Sequence, residues 1–439
     1  MSLPLATDTP SAVPHRRAIP AVAVAALGFI AVSAILLLLG RLAIDHQVAV
    51  GRQEFEPGVG WFGQWVRWDG NWYYRIAHNG YSFTAGQQRA VAFWPSYPMS
   101  IRGLALLTND EYDAGLIITW LSGFATITLL ARWCQDRMTR MAAIAAVITL
   151  LLFPYAWYMH FSVYGDALFA ACAIGAFLLL ERDKTVLAGL LGAFAAAGRP
   201  MGLAVVAGLL VLAMERRGAL PPMLARADRQ GSSDRQGSSD VQGSSAPVVS
   251  EPRWRRMLLW LHFPRSIRLQ ELKLKDAGVL LSVLGPLMYM GFLWHTEGTP
   301  FAFADAESAP GWDHKPGPAT WFKLNVLGGL RDVGLTRETS GMLLHGFLAV
   351  GAVLLVPKVI RRFGWGYGAF CVVLIGIPVI SSKDFYGLGR YLIPAFPVVA
   401  VAGEWLSERP AWLRVSVWTI SGSMLAFLSY SYARGLYLA

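Results

Sequence analysis

The sequence predicts an all-helical protein that crosses a membrane many times, and its overall composition and its long apolar runs support this class. Of the 439 residues, 55% are hydrophobic and 15% carry a charge, and the mean hydropathy is +0.43. Soluble domains contain about 25% charged residues, so this chain is too apolar for an ordinary soluble fold. Apolar runs also recur at roughly the 20-residue length that a helix needs to cross the hydrocarbon.

Most of the predicted spans follow one another with short polar turns between them. The first run, 18–40, follows a basic tail and could be a signal peptide. It is longer than a signal core and lacks a small-residue cleavage site, so we interpret it as a transmembrane helix. The region 185–214 is interrupted at 198–200 by Gly-Arg-Pro, which predicts two short helices that meet at a polar break. The total is about 11 transmembrane helices, each of about the length of a span. Besides the two helices of 185–214, the predicted spans are 18–40, 114–131, 141–160, 164–180, 276–294, 341–357, 365–381, 391–406 and 412–434.

The distribution of basic residues predicts which helix ends face the cytoplasm. Residues 215–275 hold twelve Lys and Arg against six Asp and Glu, whereas 43–112 hold five against six and 295–340 hold four against six. Under the positive-inside rule, 215–275 is cytoplasmic and the other two segments are outer loops. The same rule explains the net charge of +10 without nucleic acid, which is not expected as a partner. The sequence therefore predicts a multi-pass protein of the plasma (inner) membrane.

The predicted organisation has two membrane modules separated by a cytoplasmic segment. Within that segment, the hexapeptide DRQGSS and its variant repeat over 228–245, a Gly/Ser-rich tract that is expected to be disordered. A basic aromatic stretch over 254–268 follows and is expected to lie along the inner leaflet. The four segments are a cytoplasmic tail (1–17), an N-terminal module (18–214) with the large first outer loop (43–112), a basic linker (215–275), and a C-terminal module (276–439) with a second outer loop (295–340).

The first outer loop holds the most unusual polar residues. Its many Trp and Tyr residues are typical of an interfacial belt, but a belt does not explain the charged residues among them, Arg67, Asp69 and Arg75. A carboxylate in an aromatic setting at the membrane boundary is a candidate general base. Aromatic faces beside it could stack on a sugar ring. Asp69 is therefore the candidate catalytic residue, with simple pairing to Arg67 or Arg75 as the structural alternative.

Several short motifs occur in a fixed order over most of the chain. They are Arg67-Trp68-Asp69-Gly70, Ala92-Phe93-Trp94-Pro95-Ser96-Tyr97-Pro98, Tyr164-Gly165-Asp166, Arg199-Pro200-Met201-Gly202, Gly298-Thr299-Pro300 and Gly389-Arg390-Tyr391. The ordered set resembles the signature of the PIG-V-type mannosyltransferases, the family of GPI mannosyltransferase II and its bacterial relatives. Asp166 departs from the family pattern, which usually has Glu at this place.

The resemblance implies a GT-C glycosyltransferase fold and an inverting transfer of mannose. The implied donor is a polyprenyl phosphate mannose, and the implied acceptor is a lipid-linked or cell-envelope glycan on the outer (periplasmic) face. Asp69 matches the acidic residue of the family's first loop and would act as the base. For the donor phosphate, the candidates are Arg390, then Arg199 and Lys383, with pairing of Arg390 to Asp384 as the alternative. The remaining candidate substrate-binding residues are Trp68, Trp72, Tyr73, His78, Tyr81, Asp166 and Tyr391.

The sequence gives no indication of a metal or another cofactor. No HxxxH or DxD pair lies near the first-loop motif, and the histidines are scattered. Asp305, Glu307 and Asp313 form at most a weak carboxylate cluster in the second outer loop. The three cysteines, Cys134, Cys172 and Cys371, are widely spaced in or beside apolar runs, which is typical of core residues.

Three other functions remain open from the sequence. The first is a transferase of the same class that uses arabinofuranose or another pentose. The second is a secondary transporter, since broken helices also occur there, although a transporter is expected to have polar residues near the bilayer centre. The third is an inactive partner of another glycosyltransferase, for which Asp69 would be dispensable.

Overall fold

The computed structural model describes residues 20–48, 60–220 and 268–438, and every regular element in these residues is helical. The two longest 3-10 helices in these residues are Leu274–Val283 and Gly60–Trp65. The α-helices are α1 (Ala21–Ile44), α2 (Asp69–Asn79), α3 (Ser96–Thr108), α4 (Glu111–Gln135), α5 (Arg140–Leu151), α6 (Asp166–Glu181), α7 (Thr185–Ala196), α8 (Leu203–Arg216), α9 (Leu284–Glu297), α10 (Ala302–Glu307), α11 (Pro318–Trp321), α12 (Leu324–Asp332), α13 (Arg337–Phe363), α14 (Trp365–Ser381), α15 (Leu388–Tyr391), α16 (Phe396–Ser407) and α17 (Ala411–Ala433).

Five helical segments are long and apolar enough to cross a membrane: α1, α4, the segment Leu274–Glu297, α13 and α17. The helices α5, α7, α14 and α16 are shorter and also apolar. On α1, Leu27 and Leu38 are more than half exposed, and so is Phe427 on α17. Large apolar patches of this kind on a protein surface mark contact with a membrane or a partner. The predicted class, an all-α polytopic membrane protein, is confirmed.

Prolines account for two of the differences between the predicted and observed helix ends. The run predicted as 141–160 stops being α-helical at Leu151, because Pro154 disfavours a helical conformation in the residue before it. The helix predicted to start at 391 begins at Phe396, with Pro397 in its first turn, where proline is tolerated. The predicted polar break at 198–200 is observed between α7 and α8.

The turns between helices collect at two opposite ends of the bundle. One end, here called the basic end, contains the turns 136–139, 182–184 and 408–410. There Arg137 pairs with Glu181, and Arg362 pairs with Glu404 at 3.1 Å. The other end, here called the site end, contains 60–110, 152–165, 197–202, 298–336 and 382–395. The turns predicted to be cytoplasmic lie at the basic end and the predicted outer loops at the site end. Which end faces the cytoplasm stays a prediction, and the tail 1–17, the repeat 228–245 and most of the stretch 254–268 lie outside the described residues.

The predicted orientation can be tested by cysteine labelling in intact cells. The native cysteines are all buried, so their background labelling is low. A cysteine in place of the exposed Thr84 at the site end is expected to react with an impermeant reagent added outside. A cysteine in place of Ser232 in the repeat is expected to react only after the cells are opened. Strong outside labelling of the second variant would contradict the orientation.

Candidate active site

An unusual backbone conformation places Asp69 at the start of α2. The preceding residue, Trp68, has φ 54° and ψ −115°. A bulky residue with positive φ is disfavoured by roughly 1–3 kcal/mol, and such strain is concentrated at functional sites. The backbone N–H of Asp69 donates to the hydroxyl of Tyr164 at 3.3 Å. The start of α2 is thereby fixed against the segment that leads into α6.

Asp69 forms an ion pair with Arg390, which lies more than 300 residues later in the chain. Arg390 Nη1 donates to Asp69 Oδ2 at 2.8 Å. The Asp69 side chain is 25% exposed and the Arg390 side chain is 12% exposed. The candidate base and the first candidate phosphate ligand therefore meet, and the aspartate remains accessible from outside. Asp384, the alternative partner considered for Arg390, accepts a hydrogen bond from the backbone N–H of Tyr386.

The short helix α15 is positioned by a histidine from α13. The backbone N–H of Gly389 donates to His345 Nδ1 at 2.8 Å. Because Nδ1 accepts, the ring hydrogen is on Nε2, which lies 3.1 Å from the carbonyl oxygen of Leu438 and 3.0 Å from the Tyr155 hydroxyl. This arrangement fixes the backbone that carries Arg390.

Gly389→Ala is expected to displace α15 and lower transfer activity by roughly 10- to 100-fold, because small displacements of reacting groups have large effects on rate. A Cβ at residue 389 would lie 2.4 Å from the Tyr155 ring and 2.7 Å from His345 Nδ1. The change is measured as activity and thermal stability of the purified variant. Gly376→Ala is the matched control, since a Cβ there meets nothing within 4 Å. Equal activity of the two variants would show that α15 tolerates displacement.

Three tyrosines surround the Arg390 guanidinium. Its carbon lies 4.8 Å from the ring centre of Tyr164, 5.1 Å from that of Tyr391 and 5.8 Å from that of Tyr158. Burial opposes the charge on Arg390, but Tyr391 and Asp69 favour it, and the net effect raises the arginine pKa well above its usual value. Arg390 Nε is buried and has no hydrogen-bond partner among the described residues. The site thus holds a permanent cation with one unused hydrogen-bond donor, the N–H group at Nε.

A second ion pair lies beside the first. Arg199 Nη1 donates to Asp166 Oδ1 at 2.6 Å, and the two side chains are 9% and 1% exposed. Asp166 is the first residue of α6, and Arg199 comes from the break between α7 and α8. The Arg199 guanidinium lies 5.7 Å from the Tyr391 ring centre, so both arginines adjoin this ring. Two cations with partly satisfied donors therefore converge at the site end.

Aromatic side chains from both outer loops form a wall beside the ion pairs. Trp72 stacks on Phe93 with ring centres 5.6 Å apart and contacts Trp312 at 5.9 Å. Tyr73 packs edge-on against Tyr164 at 6.2 Å. Burial raises the pKa of Tyr73, so its hydroxyl stays neutral. A wall of this kind offers faces to a sugar ring or a prenyl chain.

Three of the predicted site residues make their contacts elsewhere. His78 pairs with Glu111 at 2.8 Å on the exposed end of α2. The Tyr81 hydroxyl donates to the carbonyl oxygen of Phe93 at 2.9 Å. Lys383 pairs with Asp313 at 2.8 Å. Their roles in substrate binding stay predictions.

Several residues at the site have no distinguishing signal in the sequence. Tyr164 belongs to the Tyr-Gly-Asp motif, which indicates no separate role for it. Tyr158, His345 and Tyr437 carry no motif at all. Tyr437 reaches the site from the end of α17 and contacts Trp68 at 5.0 Å between ring centres. Such contacts depend on tertiary structure, so no local pattern could have indicated them.

The described parts of the chain contain no group of three His, Cys, Asp or Glu side chains that could hold a metal ion. In particular, two carboxylates of the second outer loop have separate partners. Asp305 accepts the backbone N–H of Gly86 at 3.0 Å, whereas Asp313 pairs with Lys383. The described residues therefore show no metal-binding cluster in this loop, and the independence of the reaction from metal stays a prediction.

Glu307, on α10, is expected to make folding stability depend on pH. Its carboxylate has no hydrogen bond or ion pair within the described residues, and burial raises its pKa from 4.5 to about 7. Its stabilising contribution is therefore complete below about pH 4.5 and is lost as the pH rises through about 7. Glu307→Gln should flatten the fall in melting temperature between pH 5 and 8 in detergent, relative to wild type. Parallel pH profiles of the two proteins would contradict this assignment.

No protein-family model and no curated protein matches the chain. Three solved structures of an oligosaccharyltransferase from Archaeoglobus fulgidus superpose on it at 12% identity. The one tethered to an acceptor peptide has a TM-score of 0.43 and covers 92% of this chain and 55% of its own. The archaeal oligosaccharyltransferase AglB with an inhibitory peptide and a dolichol-phosphate has a TM-score of 0.40 with the same coverage, and the complex with Zn and sulfate has 0.40 with 91% and 52%. The chain spans about half the length of these structures.

Proposed function

We propose that this protein is an integral-membrane GT-C glycosyltransferase that moves a sugar from a polyprenyl phosphate sugar to a hydroxyl group of an acceptor. The observation that carries the proposal is the Asp69–Arg390 pair, which joins a carboxylate and a cation at 2.8 Å inside an aromatic site. Both residues stand in motifs that resemble the PIG-V-type family. Asp166 and Arg199, from two further motifs of the resemblance, lie beside them.

The chemistry requires one base and no acid. The acceptor hydroxyl loses its proton to Asp69 as its oxygen attacks the anomeric carbon, and the bond from that carbon to the phosphate oxygen breaks. The polyprenyl phosphate leaves as an anion, so no proton donor is needed. A single displacement of this kind inverts the anomeric configuration.

Cationic side chains would hold the leaving phosphate. Arginine suits this role because its planar fork binds phosphate oxygens in pairs. Arg390 is the first candidate, since it is central to the site and its Nε hydrogen-bond donor is unused among the described residues. Arg199 is the second, held in place by Asp166. Lys383 is the third and would have to leave Asp313 to take part.

The sugar and the acceptor are proposed from the resemblance alone. Mannose is the first choice, with arabinofuranose as the alternative, and the acceptor is a glycolipid or a cell-envelope glycan. The aromatic wall formed by Trp72, Tyr73 and Phe93 is suited to either sugar, since stacking needs only a ring face. The site would lie on the outer face of the plasma membrane, as the charge distribution indicates.

The placement of the polar groups supports an enzyme over a transporter. Both ion pairs lie at the site end, in the segments between helices or at a helix start, whereas a transporter binds its substrate near the middle of the bilayer.

The test is transfer by the purified protein from a panel of polyprenyl phosphate sugars to membrane lipid extracts, with the product identified by mass spectrometry. Formation of a glycosylated lipid from one donor would support the proposal and identify the sugar. Absence of transfer with every donor, together with uptake of solute by proteoliposomes, would replace it with the transporter.

A further inference from the structure

In this structure the candidate base, Asp69, and the candidate phosphate ligand, Arg390, bind each other. Arg390 uses Nη1 for Asp69 and Nη2 for the Tyr391 hydroxyl at 3.2 Å. Asp69 uses Oδ2 for Arg390. A guanidinium hydrogen that is donated to Asp69 is not available to a phosphate oxygen. The carboxylate and a phosphate therefore exclude each other at Nη1.

The two neighbouring ion pairs differ in how easily they can open. Asp166 and Arg199 are 1% and 9% exposed, so separating them would leave an unpaired charge in a buried place. The Asp69 side chain is 25% exposed, and the charged contact of its carboxylate in the described structure is the one with Arg390. Opening the Asp69–Arg390 pair leaves the Asp69 carboxylate in contact with solvent, where its charge is tolerated. The Asp69–Arg390 pair is thus the one suited to exchange.

Charge balance identifies what can replace the carboxylate. A phosphodiester carries one negative charge and two free oxygens, which match the charge of Asp69 and the fork geometry of arginine. When the phosphodiester binds Arg390, the charge of the guanidinium remains neutralised. The N–H group at Nε, which has no hydrogen-bond partner among the described residues, can then donate to a phosphate oxygen. The carboxylate, which is 25% exposed, is then released from Arg390.

We infer that the donor phosphate displaces Asp69 from Arg390, so that Arg390 holds Oδ2 of the base until the donor binds and then releases it. This inference rests on the proposed function. It favours binding of the donor before the acceptor, because both carboxylate oxygens are free to accept a proton only after the phosphate has taken the place of Asp69. It also means that Asp69 competes with the donor for one cation.

The competition gives a distinctive expected result, which is that Asp69→Asn binds the donor phosphate more tightly than wild type. The probe is a short-chain polyprenyl monophosphate, titrated by the change in tryptophan fluorescence of the purified protein in detergent. Asparagine offers Arg390 a neutral acceptor in place of a charged one, so the competitor is weakened and we expect affinity to rise by roughly 10-fold. If Asp69 instead holds Arg390 in position for the phosphate, the affinity is expected to be unchanged or to fall.

Two further variants isolate the pair. Asp332→Asn removes the same charge from an exposed position at the site end and should leave affinity at the wild-type value, which excludes a general electrostatic effect. In an Arg390→Ala background, Asp69→Asn should bring no gain, because the cation for which it competes is missing. A gain that persists in this background would overturn the inference, as would equal gains from Asp332→Asn and Asp69→Asn.

The experiment also separates this inference from the proposed function. Binding of the probe to wild type and Asp69→Asn with equal affinity would overturn the exchange and leave the donor class standing. If the probe binds neither wild type nor Asp69→Asn, and their melting temperatures show that both proteins are folded, the exchange and the proposed donor class are both overturned.

Discussion

Asp69→Asn is expected to lower the rate of sugar transfer by roughly 100- to 10,000-fold, the range attributed to a positioned general base. Asparagine keeps the shape of the side chain and can still accept a hydrogen bond from Arg390, but its amide cannot take the proton of the acceptor hydroxyl. The loss should appear in the turnover number at saturating donor. Asp69→Glu is expected to recover only part of the rate, since the added methylene displaces the carboxylate and attack geometry is strict.

Melting temperatures must be measured beside the rates, because the alternative role of Asp69 is purely structural. If the ion pair only orders the first outer loop, the Asp69→Asn protein should lose stability in proportion to its loss of activity. Asp332→Asn, which removes an exposed carboxylate at the same end of the bundle, serves as the control for charge. A stable Asp69→Asn protein with near-normal transfer would exclude Asp69 as the base and would direct attention to Asp166.

Hydropathy alone was enough to predict the helices that form the bundle. The run 365–381 is the clearest case, since the observed α14 has the same bounds. A membrane helix satisfies its own backbone hydrogen bonds, so its existence depends on local composition more than on distant contacts. The helices of the outer loops, such as α2 and α12, were not predicted because they are short and polar, and tertiary packing stabilises them.

The site was predictable as a set of residues but not as a set of contacts. Motif order selected Asp69, Asp166, Arg199 and Arg390, and all four meet at the site end. Which aspartate pairs with which arginine depends on how α6, α7 and α15 pack, and no sequence spacing encodes that. The case of Arg67 shows the same limit. It lies two residues before Asp69, yet its buried side chain donates to the carbonyl oxygen of Ala433 at 2.9 Å, at the end of α17.

Arg390→Lys is expected to weaken binding of the donor phosphate although it keeps the positive charge. Lysine presents a single ammonium in place of the planar fork and cannot contact two phosphate oxygens and Tyr391 in the same geometry. Hydrogen bonds to charged groups contribute about 1.5–3 kcal/mol, so Arg390→Ala should weaken binding by roughly 10- to 100-fold and Arg390→Lys by less. The measurement is titration of the purified variants with a polyprenyl monophosphate.

The contacts around Arg390 make the folded state of these variants an essential control. Its guanidinium lies over three tyrosine rings, and removing it leaves Asp69 without its cation. Because Asp69 is partly exposed, the aspartate is expected to be solvated and the bundle to remain folded, with a melting temperature close to that of wild type. Arg331→Ala removes an exposed cation from α12 at the same end and should bind the phosphate as wild type does. If Arg390→Ala and Arg331→Ala have the same affinity, Arg390 does not hold the phosphate, and Arg199, whose guanidinium also adjoins Tyr391, becomes the residue to replace next.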